Sequence, residues 1–151
     1  SDLRRQVDEH NLSRNVEFRP PVEYGADLFR VLGQFDAMIA APLIEDTPRA
    51  AFDAMARGLP ILAYDISYFR DLASTSGAVR LAQWPEPSAL ADGLVELSGD
   101  RDCLVRLANA GRAFATANTQ QMWLQRRFEW TMDHIRNYGR EHGSARPASG
   151  G

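Results

Sequence analysis

Short apolar segments alternate with amphipathic segments along most of the chain. Residues 37–41 and 60–65 are apolar without regular polar alternation, a pattern typical of strands that helices cover on both faces. Weaker strand patterns occupy residues 16–19 and 78–82. The strands alternate with helical segments, which favours parallel strands joined by right-handed crossovers. We therefore expect an α/β fold with a partial doubly wound parallel sheet of about four strands, Rossmann-like, and flanking helices.

Helical periodicity predicts seven helices, the last of them long. They occupy residues 2–9, 26–34, 48–57, 68–73, 88–97, 101–116 and 120–138. For the helix at residues 48–57, Thr47 is the expected N-cap and Pro48 the first helical residue. Gly58 ends this helix, and Pro60 prevents its continuation.

The last helix carries two apolar stripes. The first should face the core, and its residues are Leu124, Phe128, Met132, Ile135 and Tyr138. Trp123 and Trp130 lie on an adjoining stripe. They are either buried or form a surface that contacts another domain or subunit.

Length and composition predict one domain. The chain has 151 residues, of which 44% are hydrophobic and 25% charged, as in globular proteins. We expect a single domain over residues 1–139 and a flexible tail over residues 140–151, which lack apolar content. No segment reads as a signal peptide or membrane span, and Cys103 is the single cysteine. A cytoplasmic location is therefore expected.

Charge is distributed unevenly along the chain. Residues 1–100 carry 9 Arg against 16 acids, whereas residues 101–151 carry 8 Arg against 4 acids. This basic part is either a set of solvated helix faces or a site for phosphate, an acidic partner or peripheral association with an anionic membrane. No pattern for binding nucleic acid is present. The three histidines are scattered without metal-ligand spacing, so no metal site is predicted.

Candidate chemistry follows the strand at residues 37–41. Ligands of doubly wound sheets bind beyond the carboxyl ends of the strands, and Glu45 lies in the loop there. The next helix directs its free N–H groups, around Arg49, Ala50 and Ala51, and its positive dipole end at the same crevice. Asp53 follows on this helix. Two carboxylates beside a phosphate-binding helix end suit a diphosphate that carries hydroxyl groups on both sides, such as a nucleotide sugar.

Residues 45–63 resemble the donor-site motif of retaining glycosyltransferases with two Rossmann-like domains, glycosyltransferase family 4 and its relatives. In that motif, two acids separated by seven residues precede a phrase similar to the AMARGLPILA of residues 54–63. The resemblance implies that Glu45 is catalytic and contacts the transferred sugar, and that Asp53 binds the ribose. It also implies that Thr47, Arg49, Ala50 and Ala51 approach the donor sugar and diphosphate, with no cofactor required.

Three departures from the family pattern affect this site. The second acid is usually glutamate, and Asp53 is one methylene shorter. Gly-Phe-Gly usually follows the first acid, whereas this chain has Asp46-Thr47-Pro48, and a proline offers no N–H group. The glycine pair after the next strand is replaced by Ser67 and Tyr68.

The resemblance covers residues 5–138 and implies the donor-nucleotide half of a longer enzyme, inactive by itself. The family's basic pair, an arginine and a lysine, has no counterpart, since this chain contains no lysine. The resemblance also implies that the family's N-terminal acceptor domain is missing. Without the first two strands of the family's sheet, residues 37–41 form an open edge. Residues 16–19 then pair with that edge or are displaced, or another chain covers it, which would give a homo-oligomer.

Two functions remain open. The first is a fragment of a retaining glycosyltransferase that uses a nucleotide-sugar donor, with a lipid-linked glycan or a polysaccharide as acceptor. The alternative is a non-catalytic interaction module that keeps the fold and binds a partner through Trp123 and Trp130. A receiver-like domain is disfavoured because no cluster of acids at strand ends accompanies a downstream lysine.

Overall fold

The structure, a computed structural model, describes residues 2–143. Its strands are β1 (Met38–Ala40), β2 (Ile61–Tyr64) and β3 (Val79–Ala82). Its helices are α1 (Asp2–Glu9), α2 (Ala26–Leu32), α3 (Ala50–Arg57), α4 (Ser67–Ser76), α5 (Pro87–Gly99), α6 (Arg101–Ala117) and α7 (Gln120–Gly143). The predicted α/β class and the long C-terminal helix are confirmed.

The three strands form one parallel sheet in the order β1-β2-β3. Ile39 pairs with Leu62, and Leu62 with Arg80. Alternate residues of β2 face opposite sides of the sheet. Ile61 and Ala63 join a core cluster with α3 and α4, whereas Leu62 and Tyr64 join a second cluster with α5 and α6. The central strand is therefore covered on both faces, as its apolar sequence predicts.

β1 is covered on one face only. Ala40 is buried with the α3 side of the core, but Ile39 is 50% exposed. Ile39 lies beside Leu62 in the sheet, but the core cluster that Leu62 forms with α5 and α6 does not include Ile39. The expectation that helices cover residues 37–41 on both faces is therefore wrong for Ile39.

The predicted strand at residues 16–19 is absent from the described chain. These residues are exposed and have neither helical nor strand structure. A strand needs a neighbour that accepts its backbone hydrogen bonds, and residues 16–19 do not pair with β1. The guanidinium of Arg4 lies 4.6 Å from the ring centroid of Phe18 instead. The sheet consequently has three strands rather than four, with β1 at an open edge.

α7 differs most from its predicted packing. Every side chain of residues 120–138 is exposed except that of Met132, which is half-buried. Most of the stripe predicted to face the core is therefore exposed rather than buried. The helix continues to Gly143, into the predicted tail, and residues 144–151 lie outside the described residues.

Candidate functional site

Glu45 lies in the loop between β1 and α3, and its carboxylate contacts the start of α4. Glu45 Oε1 accepts a hydrogen bond from the backbone N–H of Ser67 at 3.0 Å. The N-cap residue of α4 is Ile66, which has no polar side chain to satisfy this N–H group. Glu45 therefore supplies the cap that α4 lacks.

This contact lowers the pKa of the Glu45 carboxyl. The main cause is the hydrogen bond from the Ser67 backbone N–H, which stabilises the ionised form. The Ser67 side chain and the nearby charge of Arg70 act in the same direction. Glu45 is thus held as a carboxylate at neutral pH.

A small cavity of about 230 Å³ surrounds Glu45 at the carboxyl ends of the strands. Asp65, Arg70 and Trp84 contribute to its lining. Arg70 Nε lies 2.9 Å from Asp65 Oδ1, an ion pair between partly exposed side chains. Asp65, Arg70 and Trp84 are not part of the site predicted from the sequence.

The start of α3 differs from the prediction by two residues. The N-cap is Arg49 rather than Thr47, and Pro48 precedes the helix. The Thr47 N–H donates to the side chain of its neighbour Asp46 at 2.7 Å. The Pro48 carbonyl already accepts the Ala51 N–H at 3.2 Å, so a turn forms before the helix itself.

The N–H groups at this helix start are only partly free. The Ala51 N–H is bonded to Pro48, and the Ala51 side chain is buried in the core. Within residues 2–143, the N–H groups of Arg49 and Ala50 have no hydrogen-bond partner. Such unpaired donors at a helix N-terminus attract anions.

Asp53 lines a larger cavity of about 540 Å³ beside the start of α3. The hydroxyl of Tyr24 donates a hydrogen bond to Asp53 Oδ1 at 3.2 Å. The remaining lining residues are Arg49, Phe52, Asn118, Gln120 and Trp123. In the described part of the chain, the Arg49 side chain makes neither a hydrogen bond nor an ion pair. A carboxylate and an unpaired guanidinium therefore lie in one cavity.

The structure brings Asp53 and Arg49 together but separates them from Glu45. The two acids line different cavities, whereas their positions in the sequence predict one shared crevice. The physical reason is the need of α4 for a cap, which turns Glu45 towards Ser67. Pro48 also contacts the first turn of α4, because its carbonyl accepts a hydrogen bond from the Tyr68 hydroxyl at 3.4 Å.

The site predicted from the sequence does not include Tyr24, Asn118, Gln120 or Trp123. Tyr24 precedes α2, and the other three lie at the junction of α6 and α7. Their distance from Asp53 along the chain leaves no spacing pattern to recognise. For Trp123 the sequence does contain one indication of a role outside the core, because this residue lies off the main apolar stripe of its helix.

Residues 2–143 show neither a cluster of metal-ligating side chains nor a membrane-spanning helix. No three His, Cys, Asp or Glu side chains cluster closely enough to hold a metal ion. No helix in this part of the chain combines the length and apolar content that crossing a bilayer requires.

The family described as glycosyl transferases group 1 matches residues 1–100. The chain belongs to this family. Family membership confirms the resemblance drawn from residues 45–63. No curated protein matches the chain in sequence.

Three solved structures share the fold. Sucrose-phosphate synthase from Thermosynechococcus elongatus matches with a TM-score of 0.72 and 20% sequence identity. The match covers 89% of this chain and 34% of the synthase chain. The Anabaena protein HepE in complex with UDP matches with a TM-score of 0.74 and 19% sequence identity. The match covers 88% of this chain and 36% of the HepE chain. HepE in complex with UDP and glucose matches with a TM-score of 0.73 and 18% sequence identity, over 87% of this chain and 35% of the HepE chain. The chain therefore spans about a third of the length of these structures.

Proposed function

We propose that this chain is the donor-binding part of a retaining glycosyltransferase that uses a nucleotide sugar. The observation that carries the proposal is the cavity at the start of α3, where Asp53 and the unpaired Arg49 lie together. A carboxylate accepts hydrogen bonds from vicinal ribose hydroxyls, and a guanidinium binds phosphate oxygens. Membership of the family and the UDP bound in HepE support this choice of ligand.

Each predicted residue has a role in this proposal. Asp53 binds the ribose, and Arg49 binds the diphosphate together with the unpaired N–H of Ala50. Ala51 does not bind the donor through its N–H group, because the Pro48 carbonyl already accepts that group. Its role is confined to the packing of the helix start. Thr47 lies in the loop that approaches the sugar.

Glu45 is the proposed catalytic residue, beside the transferred sugar. It lines a cavity separate from that of Asp53 and is bonded to Ser67. If one donor molecule binds to Asp53 and its sugar contacts Glu45, the loop that carries Glu45 must first break its hydrogen bond to Ser67 at the start of α4. We therefore propose that donor binding is coupled to movement of this loop.

We propose that the chain is inactive by itself. Transfer requires the acceptor hydroxyl to be held against the anomeric carbon, and positioning of this kind supplies much of the rate. In the proposed enzyme an N-terminal domain binds the acceptor, a lipid-linked glycan or polysaccharide in the cytoplasm. The open edge at β1 is then covered by the first two strands of the family's sheet or by a second copy, and the arginine-rich C-terminal part contacts an anionic membrane.

Nucleotide titration tests the donor site. UDP and GDP are titrated into the chain by calorimetry, and the Asp53→Ala variant is compared with Asp92→Ala, an exposed acid on α5. We expect Asp53→Ala to weaken binding about ten- to hundredfold, the loss typical of a hydrogen bond to a charged group. Asp92→Ala should bind as the wild type does. Absence of binding by the wild type at millimolar nucleotide would refute the donor site.

The interaction module is the second candidate, and the exposure of α7 favours it. Leu124, Phe128 and Ile135 are all exposed, together with Trp123 and Trp130. Apolar surface of this kind often contacts another protein. This function predicts no response to UDP or GDP, so the same titration separates the two candidates.

A further inference from the structure

The Asp53 cavity has two aromatic side chains in its lining that come from distant parts of the chain. Tyr24 is 65% exposed and precedes α2, and Trp123 is 51% exposed in the first turn of α7. Both line the cavity with Asp53 and Arg49. Its volume of about 540 Å³ is in the range of small-molecule sites, roughly 300–1,000 Å³.

Contacts at both ends fix the position of Tyr24. Its hydroxyl donates to Asp53 Oδ1, and its ring meets the ring of Phe29 edge-on, with centroids 6.2 Å apart. The hydrogen bond to Tyr24 uses one carboxylate oxygen. The other, Asp53 Oδ2, has no hydrogen bond within residues 2–143 and is available to a ligand hydroxyl.

A chain of contacts also fixes Trp123. Arg126 donates to Asn118 Oδ1 and to the Ala117 carbonyl, both at 3.0 Å, which holds the first turns of α7 against the end of α6. The Asn118 amide in turn donates to the Phe114 carbonyl at 2.8 Å. The Phe114 ring packs on that of Phe52 in α3, with centroids 6.0 Å apart. Trp123 is thereby positioned relative to the helix that carries Asp53.

We propose that Trp123 and Tyr24 contact the nucleobase of a nucleoside diphosphate whose ribose is bound by Asp53, so that α7 forms part of the donor site. This inference rests on the proposed function. A nucleobase presents a flat π face, and aromatic side chains stack on such faces whatever the base. Gln120, at the start of α7, adds an amide with both donor and acceptor groups for the edge of the base.

The geometry assigns distinct parts of the ligand to distinct side chains. Arg49 is the cation in the cavity lining, and Asp53 lies one helical turn further along α3. With the diphosphate at Arg49 and the ribose at Asp53, the base reaches the aromatic residues. Loss of Trp123 should then weaken ligands that contain a base and leave the binding of pyrophosphate unchanged.

Tryptophan fluorescence tests this assignment directly. In a Trp84→Phe/Trp130→Phe background, Trp123 is the single tryptophan of the chain. UDP and GDP should change its emission, and inorganic pyrophosphate should change it much less. Emission that does not respond to a bound nucleotide would overturn the inference.

Affinity measurements provide the second arm. Trp123→Ala should weaken UDP and GDP about ten- to hundredfold, the usual effect of removing one stacked aromatic, and Trp123→Phe should restore most of the affinity. Trp130→Ala is the matched control, because Trp130 stacks on His134 outside the cavity lining. Equal melting temperatures of the variants would show that each is folded.

The outcomes separate this inference from the proposed function. If the wild type binds no nucleotide, both fail. If it binds UDP and Asp53→Ala weakens this binding while Trp123→Ala has no effect, the donor site stands and the aromatic contact is refuted. Equal weakening of UDP and pyrophosphate by Trp123→Ala would also refute it, since that loss would not involve the base.

Discussion

Glu45 Oε1 accepts a hydrogen bond from the backbone N–H of Ser67, and this contact joins the loop after β1 to the first turn of α4. Ile66, at the N-cap position, has no side chain that can replace it. The residue proposed to contact the donor sugar thus also caps a helix.

The Glu45 cap predicts a dependence of stability on pH. Its pKa is lowered in the folded chain, mainly by the Ser67 N–H, so the unfolded chain binds the proton more tightly. The stabilisation is complete above the unfolded-state pKa of glutamate, about 4.3, and is lost as the pH falls through the lower folded-state pKa. We expect Glu45→Gln to reduce the dependence of the free energy of unfolding on pH in this window.

Urea unfolding at several pH values across the window measures this effect. Glu23→Gln is the control, because Glu23 is exposed and has no hydrogen bond within the described residues. In parallel, the NMR signal of the Ser67 N–H should follow the titration of Glu45. A Glu45 midpoint at or above the usual value for glutamate would contradict the contact.

Much of the fold is predictable from the sequence because buried parallel strands and glycine-ended helices have local signals. β1, β2 and β3 lie within the predicted apolar segments, and α3 ends at Gly58 as expected. The strand predicted at residues 16–19 fails for a reason that is not local. A strand exists only when a neighbouring strand pairs with it, and the apolar pattern does not reveal whether one is available.

The same limit explains the errors in α7 and in the site. Periodicity identifies side chains that share a helix face, such as Leu124 and Phe128, but not what that face contacts. Likewise, the motif identifies Glu45 and Asp53, while their orientation depends on a cap for α4 and a hydroxyl from Tyr24. Neither partner lies within ten residues of the acid that it contacts, so no sequence spacing indicates the contact.

The centre of the core predicts a large effect at Phe69. This side chain is fully buried between α4 and the sheet, and its ring meets that of Tyr68 at a centroid distance of 5.1 Å. Phe69→Ala should lower the free energy of unfolding by about 3–5 kcal/mol. Phe128→Ala removes the same atoms from a side chain that is 66% exposed. This substitution should change the free energy of unfolding by less than about 1 kcal/mol. Chemical denaturation of the two variants provides the comparison, and equal losses would contradict the described core.

Gly58 ends α3 in the left-handed region, with φ of 73°. A Cβ atom at this position would also collide with the guanidinium of Arg112. Gly58→Ala should therefore cost about 1–2 kcal/mol of stability, the usual penalty for this backbone conformation. Gly99→Ala, where the added Cβ meets nothing within 4 Å, should change stability by no more than about 0.5 kcal/mol. Thermal unfolding of both variants tests the difference, and a neutral Gly58→Ala would show that α3 ends differently.

Arg126 links α7 to the end of α6, and its removal should free the start of α7. Its two hydrogen bonds, to Asn118 Oδ1 and to the Ala117 carbonyl, join the helices in the described chain. Since the side chains of residues 120–138 are almost all exposed, little apolar burial compensates for the loss of these bonds. Arg126→Ala should therefore increase amide hydrogen exchange in the first turns of α7 and raise the mobility of Trp123 in fluorescence anisotropy.

The neighbouring Arg127→Ala serves as the control for Arg126, because within residues 2–143 the Arg127 side chain makes no hydrogen bond or ion pair. Both substitutions remove one positive charge from the same turn, so a purely electrostatic effect would be shared. Exchange in β2 should stay slow in both variants, since this strand is buried at the centre of the sheet. Equal exchange of α7 in the two variants would show that contacts other than those of Arg126 hold the helix in place.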